Sequence, residues 1–231
     1  MNKERIAVLI PAHNEARNIG KLVDEVLKVI DYVCVVDDGS SDDTGNIAKQ
    51  HGAFVIRHPV CKGKGAALKT GFQHFKQLPY DTIITMDGDG QHPVSDLGLF
   101  IKVLEKNKRA GIIIGRRKIF GSSMPTIRKL TNLSMSILIS ILCFQWIPDT
   151  QNGFRAIRKK VLENMPIITE HFETETEILL RTCWKGVKVS SIPVSTIYQS
   201  EKSKIKPLRD TINFFLMLLK ICVCHGRKFR I

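Results

Sequence analysis

Short, almost wholly apolar runs alternate with helical patterns through the first half of this 231-residue chain, and that alternation leaves few folds open. Ile6 to Ile10, Val33 to Val36, Ala53 to Ile56, Thr82 to Met86 and Gly111 to Ile114 read as strands. Helical patterns at Ile19 to Ile30, Thr44 to His51, Lys64 to Phe75 and Val94 to Asn107 separate them. In the first of these, Leu22, Val23, Val26, Leu27 and Ile30 fall on one face at helical spacing. A βαβα rhythm predicts an α/β fold with a mostly parallel central sheet covered by helices. Parallel strands are buried on both faces, which accounts for runs that are apolar throughout rather than alternating.

The second half is less regular. A long helical pattern runs from Thr126 to about Ile147, and a turn follows at Asp149-Thr150-Gln151-Asn152-Gly153. Phe154 to Ile157 reads as a strand, with a helix to about Met165 and another from Glu173 to Trp184. Val187 to Val194 and Thr196 to Tyr198 look extended, and Lys206 to Val223 looks like a final helix. No repeat, low-complexity stretch or linker interrupts the chain, so one domain is expected over residues 1–231.

The formal net charge is +13. Such an excess points toward phosphates in nucleotides, nucleic acid or anionic lipid, or else serves solubility. Six cysteines (Cys34, Cys61, Cys143, Cys183, Cys222, Cys224) show no zinc-site spacing, and several lie in apolar runs. They read as free thiols of a reducing compartment. The opening Met1-Asn2-Lys3-Glu4-Arg5 leads straight into a strand and shows no signal peptide. No segment offers the roughly 20 apolar residues of a spanning helix. Leu133 to Ile147 and Thr211 to Cys224 are shorter apolar stretches with basic neighbours, suited to lying on a membrane surface or to packing in a core or dimer interface.

In an open α/β sheet, ligands gather at the carboxyl ends of the strands, and the chemically unusual residues lie there. Strand one ends in Pro11-Ala12-His13-Asn14-Glu15, strand two in Asp37-Asp38-Gly39-Ser40-Ser41-Asp42, and strand five in Gly115-Arg116-Arg117. Strand three leads to Cys61-Lys62-Gly63-Lys64-Gly65. Strand four ends in Asp87-Gly88-Asp89, two carboxylates one residue apart. Hard oxygen ligands on a rigid strand end suit Mg²⁺ or Mn²⁺, and such an ion can hold a diphosphate as a leaving group. Several of these residues have a second reading. Asp37 and Asp38 are also good helix N-caps. Lys62 and Lys64 either cradle phosphate or form a solvated loop, and no Ser or Thr follows Lys64 to complete a P-loop. Asp149 is either a general base or the holder of an arginine. Arg155 suits bidentate phosphate recognition or a surface ion pair. His51, His58, His74 and His171 lack ligand spacing. Glu173, Glu175 and Glu177 alternate, so one or two are expected toward a ligand and the rest in solvent. A dinucleotide-binding G-x-G-x-x-G after strand one is absent.

Pro11-Ala12-His13-Asn14-Glu15, Val36-Asp37-Asp38-Gly39-Ser40-Ser41-Asp42-Asp43-Thr44, Gly63-Lys64-Gly65-Ala66-Ala67-Leu68-Lys69-Thr70-Gly71-Phe72 and Met86-Asp87-Gly88-Asp89-Gly90-Gln91-His92-Pro93 together resemble the inverting family 2 glycosyltransferases. The order and spacing carry the resemblance, which spans nearly the whole chain. Asp149 to Arg155 and Phe172 to Glu177 are similar to the polyprenyl-phosphate subgroup of the dolichyl-phosphate mannose synthase type. The resemblance implies a GT-A nucleotide-sugar-binding sandwich with amphipathic membrane-surface helices, residues 1–117 holding the nucleotide and 118–231 facing the acceptor. It implies that Pro11, His13 (where the common pattern has Tyr) and Glu15 line the nucleotide pocket and that Asp38 binds the base or its surroundings. It implies further that Asp87 faces ribose or metal, that Asp89 and Gln91 hold the cation, and that Arg117 and Lys204 contact phosphate.

The expected reaction transfers a hexose from a nucleotide diphosphate sugar to a polyprenyl phosphate. A phosphate monoester, with a second pKa near roughly 6, is already largely dianionic and needs cations more than a base. Arg117, Arg128 and Arg155 are the candidates to position it. A hydroxyl acceptor would need a base, and Asp149 is then the candidate. The expected setting is peripheral, on the cytoplasmic face of a membrane, with no nucleic-acid partner. Rival readings are a family 2 transferase acting on a saccharide or lipid hydroxyl, a catalytically silent membrane-associated binding module, and a nucleotide-sugar pyrophosphorylase, whose glycine-rich N-terminal signature is missing.

Overall fold

The computed structural model describes residues 5–117, 126–171 and 173–195, together with the helical positions 216, 218 and 221. Seven strands form one sheet: β1 (Ile6–Ala12), β2 (Val33–Asp37), β3 (Phe54–Arg57), β4 (Thr82–Thr85), β5 (Ala110–Arg117), β6 (Arg155–Arg158) and β7 (Lys188–Val194). Their order is β3-β2-β1-β4-β6-β5-β7. β1 pairs in parallel with β2 and β4, β2 with β3, and β5 with β7. β6 runs antiparallel to both β4 and β5, so its amino end lies where its neighbours finish.

The helices are α1 (Ile19–Leu27), α2 (Thr44–Gln50), α3 (Lys64–Lys76), α4 (Leu97–Lys106), α5 (Thr126–Cys143), α6 (Lys159–Leu162) and α7 (Thr174–Trp184). Strand side chains alternate between two apolar layers, as the period of two requires. Ala7 and Leu9 of β1 join Leu68, Phe72 and Phe75 of α3, Ile139 of α5 and Ile178 to Leu180 of α7. Val8 and Ile10 face the other way, toward Ile19, Leu22, Val23 and Val26 of α1 and Leu97 and Phe100 of α4. The result is an α/β/α sandwich. Gly71 lets α3 settle on β1, since a Cβ there would run into the Leu9 side chain.

The expected helix through Ile147 ends four residues early. Phe144 takes φ 52, and the chain doubles back along α5. The Ser140 hydroxyl accepts from the Ile147 amide at 2.9 Å, and that of Ser136 accepts from the Thr150 amide at 3.1 Å. These bonds replace further helical turns and carry Asp149 back to the end of β5. No helix among the described residues is long and apolar enough to cross a membrane. The expected Thr196 to Tyr198 strand and most of the Lys206 to Val223 helix lie outside the described residues, as does Lys204. Arg128 falls within α5, but its side chain lies outside them too.

Candidate active site

The carboxyl ends of β1, β2, β4 and β5 meet at one edge of the sheet, and the loops that follow are laced to one another. The Asp38 amide donates to the Ala12 carbonyl at 2.8 Å. His13 Nδ1 lies 2.8 Å from the Asp38 carbonyl. The Glu15 amide donates to the Thr44 hydroxyl at 2.8 Å, and the Ala16 amide to Asp42 at 3.2 Å. Pro11 is buried in β1, where it pairs in register with Val36. Gly88 sits against this loop: a Cβ there would stand 3.4 Å from Glu15 Cγ and 3.5 Å from the Pro11 carbonyl. The two acids flanking Gly88 therefore share one edge with Pro11, His13 and Glu15, as expected.

Asp87 and Asp89 differ in their surroundings. Asp87 receives the Lys64 ammonium at 2.6 Å, and His92 Nε2 lies 3.4 Å from its other oxygen. Burial alone would push its carboxyl pKa up, but Lys64 and His92 outweigh burial and hold it well below the ordinary carboxylate range. Asp89 is pushed the other way, by burial first and then by the charges of Asp87 and Glu15; the Gln91 amide, donating to it at 3.0 Å, only partly offsets them. A carboxylate crowded by like charges at a strand tip fits a hard divalent cation, whose charge relieves that crowding. Among the described residues no cluster of three or more His, Cys, Asp or Glu is set to enclose a metal. The donor set is thus an open, oxygen-rich edge that further oxygens from a diphosphate and water would complete. Gln91 is tied in here through its backbone.

Sequence reasoning left Lys64 undecided and missed its partners. As the first residue of α3, it bridges Asp87 to Glu175 of α7, 3.2 Å away. Burial lowers its pKa, but the two carboxylates more than reverse this and keep it charged. Gly153 makes room for the cluster: a Cβ would fall 2.7 Å from Lys64 Nζ and 2.9 Å from an Asp87 oxygen. The only sequence signal was topological, since the start of α3 and the end of β4 share an edge.

Three expectations are corrected. The Asp38 carboxylate, expected to bind the base or its surroundings, is taken up by the loop before α3. It accepts from the Lys62 amide at 3.0 Å, the Gly63 amide at 2.7 Å and the Cys61 thiol at 3.3 Å, with His58 Nδ1 at 2.7 Å. Burial raises its pKa, yet these donors together bring it below the ordinary value. Asp38 therefore staples the loop before α3. Arg155 meets neither a phosphate nor solvent: it is 2% exposed, and its guanidinium donates to the carbonyls of Asn152, Glu175 and Thr150 at 2.7–2.8 Å. It is the core of the 149–155 loop. Glu177, expected exposed unless it faced a ligand, is fully buried and accepts from the Ile168 and Thr169 amides, the Thr169 hydroxyl and Arg181.

Two open choices close. Neither Asp37 nor Asp38 caps α2, whose N-cap is Asp43; Asp37 accepts from the Ser40 amide at 2.9 Å and lies 3.3 Å from Arg57. Asp149 holds an arginine. Its side chain is fully buried, and Arg117 donates to both its oxygens at 2.8 and 2.9 Å, with the Arg117 amide adding a third bond at 3.0 Å.

The match to known proteins agrees with this geometry. The sequence profile of "Glycosyl transferase family 2" matches residues 7–165. A UDP-N-acetylglucosamine–dolichyl-phosphate N-acetylglucosaminyltransferase of Methanococcus voltae is 28% identical over 98% of this chain and 99% of its own length. An undecaprenyl-phosphate mannosyltransferase of Micrococcus luteus is 28% identical, covering 84% of each chain. Glucosyl-3-phosphoglycerate synthase of Mycobacterium tuberculosis, crystallised with Mn²⁺, UDP and phosphoglyceric acid, superimposes with a TM-score of 0.74 at 19% identity, over 95% of this chain and 78% of that one. The last similarity shows the fold. Since the profile match covers more than half of the sequence, the chain belongs to glycosyl transferase family 2 and is a glycosyltransferase with the GT-A fold.

Proposed function

We propose that the protein transfers a hexose, with inversion, from a nucleotide diphosphate sugar to a polyprenyl phosphate at a membrane surface. The observation that carries the reading is the Arg117–Asp149 pair. The acid best placed in sequence to serve as a base has both oxygens engaged by Arg117, in a fully buried position. That arrangement suits an acceptor that arrives already ionised, as a phosphate monoester does. The names of the Methanococcus and Micrococcus relatives, both of which act on lipid phosphates, support the same acceptor class.

In this reading residues 1–117 hold the donor, with Pro11, His13 and Glu15 lining the nucleotide side. Asp89, with Asp87 beside it, would hold a divalent cation that neutralises the departing diphosphate. Asp149 orients the Arg117 guanidinium at the end of β5, and Arg128 and Lys204 are further candidates for phosphate contact. An acceptor oxygen attacks the anomeric carbon as the bond to the diphosphate breaks on the opposite side. Lys64 fixes Asp87, so the strand tip does not have to reorganise during the reaction. The outward face of α5 exposes Leu130, Ile137 and Ile141, which supports peripheral contact with a bilayer. The free thiols Cys34, Cys61, Cys143 and Cys183 support a reducing, cytoplasmic side.

An acceptor screen tests the proposal. Purified protein, Mg²⁺ or Mn²⁺ and a panel of nucleotide sugars are incubated with polyprenyl phosphate or with hydroxyl acceptors, and products are identified by mass. A sugar–phosphate–lipid product is expected. Product on hydroxyl acceptors alone would refute the phosphate reading.

A further inference from the structure

A strongly basic groove lies far from the candidate active site. It has a volume of about 640 Å³, and its charged lining is Lys108, Arg109, Lys160, Lys185 and Lys188, with no acidic residue. All five are exposed. Lys108 and Arg109 stand just before β5, and Lys188 opens β7. Both strands run from there toward the edge that carries Arg117, so the groove occupies the opposite pole. The catalytic reading leaves it without a role.

The end of α5 is fastened to this groove. Gln145 donates to the carbonyl of Val187, a groove-lining residue, at 3.2 Å and accepts from the Val189 amide at 3.1 Å. The Trp184 indole donates to the Leu142 carbonyl at 2.9 Å. On either side of Gln145, Phe144 is 89% exposed and Trp146 67% exposed. They continue the outward stripe of Leu130, Ile137 and Ile141, while the inward face of α5 buries Ser136 and Ser140. The inward face packs Ile139 and Cys143 together with the two hydroxyls, and the large apolar groups that stand beside Ser134 make the outward face more apolar than contact with water alone calls for.

We propose that the outward face of α5 and the basic groove at its carboxyl end form one docking surface for an anionic lipid headgroup layer. The proposal deepens the membrane reading given above and rests on it. Aromatic residues favour the interface between headgroup and hydrocarbon, and lysines and arginines beside them attract lipid phosphates. A soluble polyanion would use the charges but leave the aromatics without a purpose. An 18-residue helix spans about 27 Å. Its middle lies beside the active edge, since Ser136 contacts Thr150 next to the Arg117–Asp149 pair. A bilayer lying along α5 therefore meets the groove at one end and passes the mouth of the site, where a lipid phosphate must enter.

The test uses the full chain in vesicle sedimentation, with phosphatidylcholine alone or mixed with phosphatidylglycerol, over a range of salt. The variants are Arg109→Gln/Lys185→Gln/Lys188→Gln and Phe144→Ala/Trp146→Ala. Each basic residue near an anionic surface contributes about fivefold to partitioning, so the triple variant should lose roughly a hundredfold of the phosphatidylglycerol-dependent binding. The aromatic pair should lose binding to both kinds of vesicle. Both variants should match the wild type in transfer to a short-chain, water-soluble prenyl phosphate without vesicles, which also reports that they fold. Unchanged partitioning of the triple variant overturns the proposal. So does a triple variant that loses inorganic polyphosphate binding but keeps vesicle binding, which would mark a soluble-polyanion site. A wild type that docks through the groove yet transfers nothing to prenyl phosphate refutes the acceptor assignment and leaves the docking surface standing.

Discussion

Replacing Lys64 by Met should destabilise the protein by an amount that depends on pH in a defined direction. Met roughly preserves the volume of the side chain and removes its charge. The wild-type ammonium lies 2.6 Å from Asp87 and 3.2 Å from Glu175, and the two acid side chains are 30% and 11% exposed. Removing one member of a buried ion pair costs about 3–5 kcal/mol, because its partner stays behind unpaired. Asp87 retains some solvent, so the lower end applies. At about 2–4 °C per kcal/mol for a chain of this size, about 3 kcal/mol corresponds to a melting temperature lower by roughly 6–12 °C at pH 7.

The sign of the pH dependence follows from Asp87. In the wild type burial opposes ionisation, but Lys64 and His92 win and depress the pKa. That contribution to stability is fully present above the unfolded carboxyl pKa of roughly 3.9 and is lost only as pH falls through the lower folded value. Without Lys64, burial and the neighbouring acids prevail and the folded pKa rises. The ionised form then costs stability at neutral pH, and protonation relieves the cost as pH falls toward about 4.5. The gap in melting temperature between wild type and Lys64→Met should therefore narrow from pH 7 to about 4.5, as read by differential scanning fluorimetry. Added Mg²⁺ or Mn²⁺ should raise the variant's melting temperature more than the wild type's. A gap under about 2 °C at pH 7, or one that stays constant on acidification, would show that the bridge does not exist in solution.

Other substitutions separate reaction roles from scaffold roles. Asp89→Asn should lower kcat by about 10²–10³-fold and abolish the response to Mn²⁺ with little change in melting temperature; initial rates across a metal titration decide it, and an unchanged response removes Asp89 from the ion site. Asp149→Asn should lower kcat and stability together while the pH–rate profile keeps its acidic limb; loss of that limb would mark a general base instead. Arg155→Lys, which cannot reproduce three carbonyl contacts, should lower the melting temperature by several degrees, or about 2 kcal/mol, and leave KM for the acceptor unchanged. A raised acceptor KM at unaltered stability would return Arg155 to the phosphate.

Some of this was written plainly in the sequence. β1 was expected at Ile6 to Ile10 and runs Ile6–Ala12; β4 was expected at Thr82 to Met86 and runs Thr82–Thr85. Buried parallel strands must be apolar on both faces, and that demand is local. Strand direction is not local: Phe154 to Ile157 announces a strand, but nothing in four residues says that β6 runs against its neighbours. Side-chain partners were hidden for the same reason. Arg117 and Arg155 look alike in sequence, one ending a strand and the other opening one. One meets a carboxylate at the rim and the other is swallowed by two carbonyls of its own loop and that of Glu175 in α7. Only the fold of residues 149–155 separates them. Lys64 and Glu175 lie more than a hundred residues apart, and no periodicity connects them.

The charge economy of the molecule ties these pieces together. The net charge of +13 points toward phosphates in nucleotides, nucleic acid or anionic lipid, or else serves solubility. At the active edge two of the cations are committed, Lys64 to Asp87 and Glu175 and Arg117 to Asp149, while Lys62 and Arg116 stand exposed on the same loops. Such pairing fixes geometry more than it supplies free positive charge. Asp89, by contrast, has its pKa raised by burial and adjacent acids, so a divalent ion there would relieve the crowding. A site built this way depends on a cation supplied from outside to accept a diphosphate. Part of the protein's exposed lysine and arginine lines the groove at the far pole, where five basic residues and no acid stand near Phe144 and Trp146. If chelation left transfer intact, this division would fail at its first step, because the crowded carboxylate of Asp89 would then have no divalent ion to hold.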